Sequence, residues 1–116
     1  MKKKYLFIFI MSTFMQSCTN GIHKELKSFE NEQRFEINAK GENPYGWDIT
    51  LKGNLKGQVI LYFKEAEDYT VDSLLLTGNI NLHKKGDWFR SELILEIKPL
   101  TQTKGNLLID CDLYSF

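Results

Sequence analysis

Residues Phe35–Leu51 read FEINAKGENPYGWDITL. Phe35, Ile37 and Ala39 alternate with Glu36, Asn38 and Lys40, and Trp47, Ile49 and Leu51 alternate with Asp48, Thr50 and Lys52. A period of two sends successive side chains to opposite sides of an extended chain. Each run is therefore a strand with one apolar face. Between them, residues 41–46 hold Pro44 and two glycines, the composition of a loop. The pair reads as a hairpin with a longer loop.

The same period continues to the end of the chain. Gly53–Gly57 reads as a turn, and QVILYFK at 58–64 follows it, apolar from Val59 to Phe63. Such a run suits a central strand covered on both faces. Across Ser73–His83, Leu74, Leu76, Ile80 and Leu82 share one parity. This is one strand, kinked or bulged at Gly78, where glycine tolerates the geometry. His83–Asp87 reads as a turn and Trp88–Lys98 as a strand with Leu93, Leu95 and Ile97 inward. Pro99 ends that ladder, because proline has no N–H to donate. In the last strand, Asn106–Phe116, Leu107, Ile109, Cys111 and Leu113 face inward while Asp110 and Asp112 face out.

Six to seven strands joined by short links favour antiparallel order, since a parallel crossover takes about a dozen residues. The expected fold is all-β: a small antiparallel β-sandwich, with a small β-barrel as the alternative. The domain spans 34–116. Ahead of it, 18–33 is polar and reads as a tether, with Ile22, Leu26 and Phe29 at spacings that also permit a weak amphipathic helix.

Candidate chemistry is sparse. His23 and His83 are the two histidines and stand far apart in sequence. Neither has a second ligand at metal spacing, so no zinc site and no cofactor are expected. Glu65, Glu67, Asp68 and Asp72 carry oxygens that suit calcium, but the EF-hand spacing is absent and a solvated acidic loop is the plainer reading. Cys111 shares the parity of Ile109 and Leu113, which places it in the core. Its neighbours Asp110 and Asp112 disfavour a thiolate. The aromatics are the most informative group. Tyr45, Trp47, Trp88 and Phe89 sit at loop ends, where rings stack on sugars or anchor a protein partner. Trp47 also shares the parity of Ile49 and Leu51, and Trp88 and Phe89 point opposite ways if both lie in regular strand, leaving one of them exposed.

The N-terminal segment carries the address. Lys2, Lys3 and Lys4 precede an apolar run from Tyr5 to Met15. Basic, apolar, then small residues is the order of an export signal. Eleven residues at ~1.5 Å each reach roughly half of a ~30 Å hydrocarbon core, too short for a permanent span. The run ends in Met15-Gln16-Ser17-Cys18, which resembles the lipobox of bacterial lipoproteins. The resemblance covers residues 1–18 only. It implies that 1–17 is a signal peptide cut before Cys18, and that Cys18 carries lipid and holds the protein to a membrane. Thr19 is not the aspartate that retains many such proteins in the inner membrane, so the resemblance leans toward the outer membrane where a cell has one.

Three of the fifteen basic residues lie in that signal, leaving twelve against fifteen acidic groups. Without a basic patch, and outside the cytoplasm, the chain is not expected to meet nucleic acid. The expected function is a non-enzymatic, lipid-anchored envelope domain that binds another envelope protein or a toxin. A carbohydrate-binding module using Tyr45, Trp47, Trp88 and Phe89 is the rival.

Overall fold

A computed structural model describes residues 18–66 and 69–116. The signal segment 1–17, and Glu67 and Asp68 of the acidic run, lie outside the described residues. The strands are β1 (Cys18–Leu26), β2 (Gln33–Asn38), β3 (Pro44–Ala66), β4 (Tyr69–Asp87), β5 (Glu92–Pro99) and β6 (Lys104–Ser115). Every neighbouring pair is antiparallel.

The two long strands define the architecture. β3 runs for 23 residues and β4 for 19, paired from Gly46↔Asp87 to Ala66↔Tyr69. On its other side β3 meets β6 along 44–56 and β5 along 59–64. β1 then extends β6, and β2 extends β5. The hairpin folds over on itself at its middle, so its two halves lie in different layers. One layer is β1, β6, the first half of β3 and the second half of β4. The other is β2, β5, the second half of β3 and the first half of β4. Six strands thus make a single sheet that wraps into a nearly closed, two-layered body. If the halves of β3 and β4 are counted as strands, the order is that of an eight-stranded jelly roll.

Contacts across the crease show the folding. Trp47 and Phe63, on opposite halves of β3, pack with ring centroids 4.8 Å apart. On β4, Lys84 Nζ meets Asp72 Oδ2 at 2.6 Å. These residues sit symmetrically about Gly78 and can touch only because the strand doubles back there. The crease itself holds a register shift between Leu55 and Gln58, with Gly57 at φ +122° and Gly78 at φ +68°. Positive φ is open to glycine at little steric cost. At Gly57 a β-carbon would also stand 2.5 Å from Thr103 Oγ1 and 2.6 Å from the Gln102 carbonyl oxygen.

The core follows the alternation. Ile49, Leu51, Val59, Leu61, Leu93 and Leu95 are fully buried, as are Leu107, Ile109, Cys111 and Leu113 of β6. Four expectations need correction. The 18–33 segment is not a tether: from Cys18 to Leu26 it is a strand paired along its whole length with β6. It reads as polar because it is an edge strand that points few apolar side chains inward, chiefly Ile22 and Leu26. The Phe35 and Trp47 strands are not a hairpin, since β2 pairs with β5 while β3 starts in the other layer. Gly53–Gly57 is a bulged crease within a continuous strand rather than a turn. His83–Asp87 continues β4, and Trp88 lies in the link before β5.

Replacing Gly78 by alanine is expected to lower unfolding free energy by about 1–2 kcal/mol, the penalty of a left-handed residue. Gly57→Ala is expected to be worse, because contact with Thr103 adds to the strain. Urea unfolding monitored by circular dichroism checks both. Equal stability of Gly57→Ala and wild type would contradict the crease geometry.

Candidate functional site

One end of the body gathers the start of β1, the start of β3, the end of β4, the end of β6 and the links 39–43 and 88–91. Backbone hydrogen bonds bind these pieces. Phe116 N–H donates to the Asn43 carbonyl at 3.1 Å, Glu42 N–H to the Phe116 carbonyl at 3.2 Å, and Trp88 N–H to the Tyr45 carbonyl at 3.2 Å. Gly41 N–H donates to Ser115 Oγ, at 2.8 Å. On this frame Tyr45 stacks on Phe116 at 4.5 Å and on Tyr114 at 6.1 Å. Beside the rings lies a cleft of about 400 Å³ lined by Tyr45, Trp47, Asp48, Lys85, Asp87 and Tyr114. A β-carbon on Gly86 would stand 3.1 Å from Trp47 Nε1, so glycine there lets the β4 backbone lie close against the indole. Burial, then Asp48 and Asp112, raise the Tyr114 phenol above its usual range and keep it protonated.

The four aromatics expected at the surface divide. Tyr45 joins the ring stack, and Phe89 is 74% exposed. Trp47 and Trp88 are core residues, 7% and 5% exposed, and Trp88 donates its indole N–H to the Glu92 carbonyl at 2.9 Å. They are therefore not a binding surface in their own right. Trp88 and Phe89 both lie in the link between β4 and β5, so the expected strand alternation does not apply to them; Trp88 is buried and Phe89 exposed. Tyr114 and Phe116 were not anticipated. Tyr114 stands at the outward parity of β6, beside Asp112, and that parity was the available signal.

The outer face of the first layer brings together residues far apart in sequence. His23, Asp110, Thr50 and His83 form one cross-strand row, and Gly21, Asp112, Asp48 and Lys85 form the next. His23 Nδ1 lies 2.6 Å from Asp110 Oδ1, and His83 Nε2 lies 2.9 Å from Asp48 Oδ2. Each histidine thus faces one carboxylate. Among the described residues no three His, Cys, Asp or Glu side chains are arranged to hold a metal ion. The hydrogen bond that the His23 imidazole donates to Asp110 raises the His23 pKa above the ordinary 6.5, with Asp110 and Asp112 charge adding to it. Asp72 is engaged by Lys84, and Glu65 lies 3.4 Å from Arg90. These two carboxylates answer separate cations. Beneath the face, burial first, then Asp112 and Asp48, push the Cys111 thiol up to about 12. It remains a core thiol.

At the opposite end, the 27–32 and 100–103 links flank a second cleft of about 600 Å³, lined by Lys27, Phe29, Leu100, Thr103 and Lys104 among others. Thr103 is buried there, its hydroxyl donating to the Thr101 carbonyl at 3.0 Å.

The sequence matches no protein-family model and no curated protein. Its backbone is similar to a chain from Bacillus endospore appendages, described as a novel family of disulfide-linked pili. That match has a TM-score of 0.58 at 8% identity, covering 87% of this chain and 91% of the other. It is also similar to PirA, with a TM-score of 0.52 at 11% identity, covering 81% and 93%. At such identities the likeness shows a shared all-β fold and nothing of ligand or partner.

Two outcomes test this geometry. The His23 imidazole should titrate above 6.5 by NMR and move down in Asp110→Asn. Its stabilising contribution is complete below 6.5 and disappears as pH rises through the raised value. Cys111 should resist a thiol reagent at neutral pH in the native protein and react once denaturant unfolds it. Rapid labelling of the native state would contradict its burial.

Proposed function

We propose that this chain is a small bacterial envelope lipoprotein that works by binding rather than catalysis. The signal of residues 1–17 exports it, and lipid on Cys18 holds it to a membrane outside the cytoplasm, the outer membrane where there is one. The partner is another protein, an envelope component or a toxin, received along the edge of β4.

The observation that carries this reading is the state of that edge. β4 pairs with β3 on one side and with no other strand among the described residues. Folded proteins blunt a free edge with charges or cover it, because its unpaired N–H and C=O groups template another strand. The second half of β4 carries Lys84 and Lys85. The first half instead exposes Tyr69, Val71 and Leu75 at 57%, 49% and 58%, and its Asp72 is matched by Lys84. An open ladder flanked by apolar side chains suits strand addition, in which main-chain bonds supply affinity and side chains select the partner. The chemistry at the candidate catalytic groups supports a binding role as well. The cysteine is a buried thiol, and each histidine is engaged by a single carboxylate on an open face.

A second reading has its own observation. The stacked Tyr45, Tyr114 and Phe116, beside a mainly apolar cleft that also holds Asp48 and Asp87, resemble a sugar platform, on which rings cover a pyranose face and carboxylates accept its hydroxyls. This reading predicts that soluble glycans change the fluorescence of Trp47 at the cleft wall.

The test of the first reading is photocrosslinking in intact cells from probes at Val71 or Leu75, with Leu100 as control. One dominant protein adduct from the β4 positions is expected. Leu75→Lys should reduce recovery of that partner about tenfold, because charge on an edge opposes strand addition. Adducts of equal yield from Leu100, or none from β4, would refute the edge as the binding site.

A further inference from the structure

The position of Cys18 in the fold sets how the domain meets its membrane. We infer that the end carrying Cys18 seats directly on the bilayer, with Tyr69, Phe89, Phe116 and the Tyr45–Tyr114 pair entering the headgroup region. The inference rests on lipidation of Cys18 as proposed above.

Register comes first. Cys18 pairs with Ser115, and Thr19 with Tyr114. Pro44 pairs with Ser115 as well. The residue next to the anchor is therefore already in the sheet. A sixteen-residue tether would let a domain stand about 50 Å off the membrane. Here the stand-off is about one strand residue, ~3.4 Å. Whatever surrounds Cys18 on this end is held against the headgroups.

Aromatic placement comes second, and it is independent of the register. Among the described residues the most exposed aromatic side chains are Phe89, Phe116 and Tyr69, at 74%, 68% and 57%, and all of them lie on the Cys18 end. Phe116 is stacked on Tyr45. Phe89 follows Trp88, whose N–H is bonded to the Tyr45 carbonyl, and precedes Arg90, which reaches Glu65 near the end of β3. Tyr69 pairs with Ala66 at the tip of the long hairpin. The opposite end exposes Leu100 but no large aromatic among the described residues. Tyrosine, with an apolar body and a polar tip, settles at a membrane–water interface, and phenylalanine serves there on the apolar face that enters the acyl boundary.

Charge narrows the kind of surface. Lys40, Lys85 and Arg90 on this end stand against Glu42, Glu65, Asp87 and the cleft carboxylate Asp48, and Glu67 and Asp68 fall between Ala66 and Tyr69 in sequence. This acidic excess disfavours anionic lipid, so the surface it fits is a zwitterionic interface entered by about 5–10 Å of ring depth.

The experiment uses the full-length, lipidated protein reconstituted into phosphatidylcholine vesicles. Phe89→Cys and Leu100→Cys are each labelled with a polarity-sensitive maleimide dye, and the native thiol Cys111 is shielded by burial. Mass spectrometry of the same sample reads the acyl groups on Cys18. The expected result is that the dye at position 89 is shielded from aqueous iodide about threefold or more relative to position 100, as for a group at the headgroup boundary. Its emission shifts to the blue, and added salt changes neither effect. Acylated protein in which both dyes are equally open to iodide overturns the seating and leaves the lipoprotein reading intact. Absence of acyl mass on Cys18 overturns both. Shielding of position 89 by soluble oligosaccharide, with no response to vesicles, overturns the seating in favour of a sugar site.

Discussion

A strand of 23 residues would span about 75 Å if it lay straight. A domain of roughly 100 residues is far smaller, with a radius of gyration near ~13 Å. The long hairpin of β3 and β4 must therefore fold, and the fold-over at Gly57 and Gly78 is the constraint on which the rest depends. It brings Trp47 onto Phe63 and Asp72 onto Lys84. It also creates two layers, each needing further strands to cover its apolar face. β5 and β6 take the free side of β3, one per layer, and β1 and β2 complete the layers beyond them. Asp72 is held below the usual carboxylate range, first by the Lys84 hydrogen bond and then by the Ser73 N–H. Its contribution to closing the crease is present above the ordinary carboxylate pKa and is lost as pH falls through the lowered value. Because both partners are well exposed, that contribution is small beside the buried rings.

Folding one hairpin in half gives the body two unlike ends. The crease end holds Gly57, Gly78 and the links beside the larger cleft. The other end holds the start of β1, the C-terminal strand end and the exposed aromatic rings. An anchor at Cys18 makes that difference an orientation. In the proposed reading the aromatic end faces lipid, while the crease end faces away from it. The membrane and partner surfaces of that reading meet at Tyr69, and the partner-binding edge runs from there along Val71 and Leu75 away from the seated end.

Much of this was legible in the alternation. Leu107, Ile109, Cys111 and Leu113 read as one inward face and are all fully buried. Gly78 read as a kink and is the left-handed residue on which β4 folds. What failed was pairing. Period two says which face a residue takes, but not which strand lies beside it. Gly53–Gly57 has turn chemistry, and a bulged crease needs the same residues for the same backbone freedom. The N-terminal strand was missed because Ile22 and Leu26 fit helical spacing as well as strand parity, while the partner that decides between them lies about ninety residues later. Trp47 showed its core role through parity. Burial of Trp88 depends on a link whose path no local pattern reveals.

What departs furthest from the sequence reading is that Cys18–Leu26 is a strand of the sheet, paired with β6. Hydrogen–deuterium exchange of the full-length, membrane-bound protein addresses it directly. If β1 is part of the sheet, amides of residues 19–26 that bond to β6 exchange on the timescale of those in 107–114, far slower than an unfolded peptide. Exchange of 19–26 at the rate of free chain, with 107–114 protected, would mean that the segment is a tether after all.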